Sequence, residues 1–109
     1  MVLLLAFGAF AVLGLASPPV PADASAARVK ARAVLKAARC DSCHDSSVSA
    51  ENRAALAVYD LVESDWPARM KEAQLPRLLT RLKSAPAADQ DVIRRFVTLE
   101  LKARAVGRR

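Results

Sequence analysis

The chain has 109 residues, a formal net charge of +6, two cysteines and one histidine. That length sets a limit of one small domain. Only three glycines and few aromatic residues argue against hairpin-rich β folds, and no interleaving of basic and aromatic residues points to a nucleic-acid surface.

The first segment, MVLLLAFGAFAVLGLA over residues 1–16, is apolar and uncharged, and SPPVPADASA follows it. Every Lys and Arg lies at or after Arg28. A short apolar run followed by small residues reads as a secretory leader. Ala22-Asp23-Ala24 and Ala24-Ser25-Ala26 are its candidate cleavage sites, although no basic residue precedes the run. An uncleaved anchor is the rival, because the run falls a little short of the ~20 residues that span a bilayer comfortably. Either way residues 1–26 form a leader or anchor. Residues 27–109 form the exported domain, on the outer face of a bacterial cytoplasmic membrane or in the periplasm. A domain this small buries a modest core and gains from a staple.

Beyond the leader, Ala, Leu, Arg and Glu dominate and strand alternation is absent, so the expected fold is all-α with four or five helices. The first is expected over about Ser25–Arg39, with Ala26, Val29, Ala33 and Ala37 on one face. Ser49, with Glu51 in the first turn, predicts a second helix to about Glu63, whose apolar face includes Ala55, Leu56, Tyr59 and Val62. Ser64-Asp65 before Trp66-Pro67 predicts a third, placing Trp66 and Met70 one turn apart. Pro76 breaks it. Leu78, Leu79 and Leu82 then form a short stripe. Pro86 opens the last helix, to about Val106, with Val92, Phe96, Leu99 and Ala103 at helical spacing and Ile93 and Val97 widening the stripe.

The segment CDSCH, Cys40 to His44, holds both cysteines and the only histidine. A catalytic dithiol belongs in a βαβ setting, which this sequence lacks. A structural zinc site needs four ligands, and no further Cys or His exists. A small disulfide between Cys40 and Cys43 is the plain reading. The remaining one is covalent haem attachment, whose signature is C-x-x-C-H. There Cys40 and Cys43 bind the haem as thioethers, His44 is an axial ligand, and the apolar disc is the staple.

In its order of parts, leader, helix, CDSCH, intermediate helices and long C-terminal helix, the chain resembles the bacterial monohaem cytochromes c of the class I type. That resemblance implies a haem c domain carrying single electrons, with crossing first and last helices and an aromatic residue at the crossing. Phe96 against the alanine face near Ala33 is the candidate. The segment ARAVLKAAR lacks the family's usual glycine and aromatic residue. A downstream Met is commonly the family's second axial ligand, and Met70 is the only Met besides Met1. A thioether opposite His favours ferrous iron; the ordinary alternative is a packing role for Met70. Trp66, Tyr59 and Leu35 are candidates for packing on the haem, with ordinary core packing the rival for each. Expected partners are redox proteins with acidic docking surfaces, with membrane association through residues 1–16 and no nucleic acid. The competing function is a haem-based gas or peroxide module with an open distal position; a haem-free interaction domain survives only if CDSCH is accidental.

Overall fold

The computed structural model describes residues 19–108. The apolar run 1–16 lies outside the described residues, and no helix among those described is long and apolar enough to cross a membrane. The fold is all-α: α1 Ala22–Ala37, α2 Asp41–His44, α3 Arg53–Val58, a 3-10 turn Glu72–Gln74, α4 Arg77–Arg81 and α5 Ala87–Gly107. Both candidate cleavage triplets lie in the first two turns of α1, where Ala24 is buried.

α1 and α5 make the most extensive helix–helix contact. α1 is alanine-rich, with Asp23 in its first turn and Lys36 in its last, both favourable to the helix dipole. Its buried face is Ala24, Ala27, Ala31, Val34 and Leu35, not the expected Ala26, Val29, Ala33 and Ala37; Val29 is 71% exposed. Both faces carry small alanines that allow a close approach. The one that also carries Val34 and Leu35 removes more apolar area from water, so it turns inward. On α5 the fully buried stripe is Ile93, Phe96, Val97 and Glu100, with Val92 and Leu99 half-buried at its side. Pro86 starts α5, and Gln90 Nε2 donates to the Lys83 and Ala85 carbonyls (both 3.0 Å), clamping the turn from α4.

Two expected helices differ from the structure. The one expected from Ser49 to Glu63 is only α3, capped by Asn52, whose side chain accepts from the Ala55 amide at 3.4 Å. Tyr59 is extended (φ −159°, ψ 153°) because the following residues bond elsewhere: the Leu61 amide donates to the His44 carbonyl at 2.7 Å. The expected Trp66–Met70 helix is a run of turns, with Ala68 N to Asp65 O at 2.8 Å and Met70 N to Pro67 O at 3.0 Å. Its Pro67 and Met70 carbonyls accept from Arg104 on α5, which competes with helical bonding. Beyond Pro76, α4 buries Leu78, and Leu82 is buried just past its end.

Candidate functional site

α1 ends in a Schellman motif. The Cys40 amide donates to the Leu35 carbonyl (2.9 Å) and the Arg39 amide to the Lys36 carbonyl (3.0 Å). Arg39 takes the left-handed position (φ 65°) that glycine usually fills. The chain then re-enters a helical turn, with the His44 amide donating to the Cys40 carbonyl at 2.9 Å. Residues i, i+3 and i+4 share a helix face, so this turn turns Cys40, Cys43 and His44 to one side. Both cysteines are free thiols; Cys40 is half-buried and Cys43 exposed.

His44 is held from three directions. Its Nδ1 lies 3.1 Å from the Tyr59 carbonyl. A carbonyl has no proton to give, so Nδ1 carries the hydrogen, and in the neutral ring Nε2 keeps its lone pair. Metal-binding histidines are commonly oriented in this way. The Tyr59 ring stacks on the imidazole, with centroids 3.7 Å apart and planes 6° apart. The His44 carbonyl receives the Leu61 amide. The Tyr59 hydroxyl and the Cys40 thiol are electrostatic neighbours at the cleft. Burial raises the Tyr59 pKa, and the Cys40 charge adds to this. Cys40 is also raised, by burial against the opposing effect of the Tyr59 hydroxyl and with smaller contributions from Asp41 and Cys43.

Two buried carboxylates set the loop between α2 and α3. Asp45 accepts from the Ser47 amide (2.9 Å) and hydroxyl (2.5 Å); the hydroxyl bond is the main reason its pKa lies below the usual carboxylate range. Asp60 accepts from the Ser46 and Val62 amides (both 3.1 Å). Burial raises the Asp60 carboxyl, but the Ser46 and Val62 bonds and the Arg69 charge together outweigh it and hold the pKa low. Asp60 therefore stitches the segment after Cys43 to the one that orients His44.

Cys40, Cys43, His44, Tyr59 and Met70 all line one cleft of about 380 Å³. Met70 comes from a segment 26 positions beyond His44, and its side chain is buried. The volume lies within the roughly 300–1,000 Å³ common for small-molecule sites. Arg39, Arg77 and Arg81 line the wall, and among the described residues no Asp or Glu does. A larger groove of about 470 Å³ lies between Pro19–Pro21 and the end of α5, but it has no Cys, His or Met.

Trp66 and Leu35 do not line the cleft. Trp66 is buried behind Tyr59, edge-on at 5.6 Å, and against Phe96 at 5.0 Å. Its indole N–H donates to the Arg28 carbonyl at 3.2 Å and is spoken for. Leu35 is fully buried in the core, and its carbonyl holds the Cys40 amide.

An ionic cluster that sequence reasoning missed stands behind the Met70 wall. Glu100, 1% exposed, accepts from Arg28 Nε at Oε1 (2.5 Å) and Nη2 at Oε2 (2.9 Å), and Arg104 Nε donates to the same Oε2 at 3.4 Å. Burial raises the Glu100 carboxyl, but the Arg28 and Arg104 bonds and charges together outweigh it and leave the pKa lowered. A signal was present: Glu100 is seven residues after Ile93 and four after Phe96, in register with the apolar stripe.

Among the described residues, no three His, Cys, Asp or Glu side chains gather as a metal site. Cys40, Cys43 and His44 thus have no protein partner with which to complete a zinc shell. Two free thiols, an imidazole with its Nε2 lone pair available and a thioether around one cleft are a donor set suited to a covalently held iron porphyrin. Comparison with protein-family models, curated proteins and solved structures finds no match for this chain.

Proposed function

We propose that the chain is a c-type cytochrome that carries single electrons through one covalently bound haem. One observation carries this reading: Cys40, Cys43, His44 and Met70 all line a single cleft although Met70 is remote in sequence. When bound, haem supplies one-electron Fe(II)/Fe(III) chemistry, and no substrate bond is made or broken. Cys40 and Cys43 would hold it through thioethers, each thiol S–H adding across one vinyl double bond. His44 would offer Nε2 to the iron, in the orientation the Tyr59 carbonyl imposes. Met70 would offer its thioether sulfur to the bound group, a donor that favours ferrous iron. Tyr59 packs beside His44 and limits water there, while Trp66 backs Tyr59 from the core.

The basic wall of Arg39, Arg77 and Arg81 supports a docking role toward acidic redox partners, with encounter rates that fall as salt rises. The apolar run 1–16 supports export, to the periplasm or to the outer face of the cytoplasmic membrane. The test is the purified protein itself. After acid–acetone extraction the colour should stay with the polypeptide, and its mass should rise by one haem. Reduced and oxidised visible spectra should be of the c type, without a change on adding carbon monoxide. Haem that extracts freely sinks the proposal. A carbon monoxide complex in the unaltered protein would instead favour the gas-binding module.

A further inference from the structure

We propose that Arg104 is the residue that positions Met70 at the cleft, its charge balanced by Glu100. This rests on the reading of Met70 as an axial ligand and adds the device that holds it. The segment from Trp66 to Met70 has only turn bonds of its own. One guanidinium spans it: Arg104 Nη2 donates to the Pro67 carbonyl at 2.7 Å, and Nη1 donates to the Met70 carbonyl. A planar fork with several donors can hold two carbonyls at once, which an ammonium does less well. The other end is tied to the same cluster, because Trp66 donates to the carbonyl of Arg28, and Arg28 in turn holds Glu100 through two bonds.

The arrangement is selective for charge as well as shape. Arg104 is 20% exposed, so its cation needs a counter-charge near by, and Glu100 provides it from the same helix, four residues earlier. Charge-assisted bonds to carbonyls are stronger than neutral ones. They are suited to a loop that presents a weak thioether donor and has no helix or sheet to hold it. The C-terminal helix thereby acts as the latch of a ligand loop that it does not contain.

The experiment uses the full-length holoprotein with Arg104→Met, Arg104→Lys and Met70→Leu. Two readouts are taken: imidazole affinity of the ferric protein, and amide hydrogen exchange across residues 68–71. Arg104→Met keeps the aliphatic stem and loses every donor. It should raise imidazole affinity and speed exchange at 68–71 by about tenfold each, the loss of one to two charge-assisted bonds, with α1 exchange unchanged. Arg104→Lys should lie between it and the parent, and it decides the matter if Arg104→Met does not fold. Parent-like affinity and exchange in the Arg104 variants overturn the proposal, even where Met70→Leu binds imidazole freely. If Met70→Leu and the parent bind imidazole alike, the ligand reading of Met70 has failed. The latch is then judged by exchange alone, faster exchange upholding it and unchanged exchange overturning it.

Discussion

The two walls of the cleft are built by different means. The Cys40–His44 wall is local: five consecutive residues on one helical turn, started by a Schellman motif and tied by the His44 imidazole to the Tyr59 carbonyl and by the His44 carbonyl to the Leu61 amide. The Met70 wall is remote: a run of turns with little bonding of its own, held by a side chain from the last helix. The first wall takes its course from backbone bonds close in sequence, with Asp45, Asp60 and Tyr59 adding side-chain ties. The second depends on particular side chains and on the charge they carry. A substitution far from the cleft should therefore disturb the Met70 wall more easily than the Cys–His wall.

The largest expected effect is on the local wall. Replacing Cys40 and Cys43 together by Ala should abolish covalent attachment. On the proposed haem reading it should also cost most of the folded structure, read as loss of the bound chromophore on the denatured chain and of cooperative unfolding. Next comes the remote wall. Glu100→Ala leaves Arg28 and Arg104 without their counter-charge. It should destabilise the protein by about 2–4 kcal/mol in urea denaturation. This is below the roughly 3–5 kcal/mol of a fully buried pair because both arginines keep some solvent contact.

The pH dependence sharpens the same comparison. The folded Glu100 carboxyl lies below its ordinary value of 4.5, so its contribution is fully present above that value. It is lost as pH falls through the folded pKa. The stability difference between the parent and Glu100→Gln should thus be largest near neutrality and shrink below about pH 4. A difference that is flat from pH 7 to pH 3 would show that charge is not what holds the cluster.

Smaller effects belong to the ties within the local wall. Asp60→Ala strips the Ser46 and Val62 amides of their acceptor and should cost about 1–2 kcal/mol. It should also loosen His44, seen as broadened resonances of its imidazole. The smallest effect has the opposite sign. Arg39→Gly relieves a left-handed non-glycine residue and should raise stability by up to about 1 kcal/mol, read as a shift in denaturation midpoint at unchanged slope. A destabilised Arg39→Gly would mean that the guanidinium at the cleft wall matters more than the backbone.

How much of this was legible follows from distance along the chain. CDSCH could be read directly, because a helical turn aligns positions 40, 43 and 44 whatever the rest of the fold does. The long last helix and the break at Pro76 were legible from period and proline. The helix expected through Tyr59 was too long, since nothing in its composition shows that the Leu61 amide is claimed by His44. The Trp66–Met70 helix was expected from a good start signal, but that signal does not show the Arg104 fork taking its carbonyls. Leu35 and Trp66, readable as haem-packing or as core residues, are buried and do not line the cleft, because hydrophobicity marks burial and not which cavity is faced.

By itself the sequence determined the helical class, the helix-forming composition of α1 and α5, and the grouping of the two thiols with the imidazole. These depend on interactions within about one turn of helix, which are encoded locally. The tertiary structure alone decided which alanine face of α1 turns inward, where α3 stops, and that Met70 reaches the cleft of His44. Each of these is settled by competition between local bonding and a partner distant in the chain: Val34 and Leu35 packing into the core, His44 against Tyr59 and Leu61, and Arg104 against the turn that carries Met70. A buried charge such as Glu100 is tolerated only where both of its cations arrive, and that meeting exists only once α1 and α5 have packed.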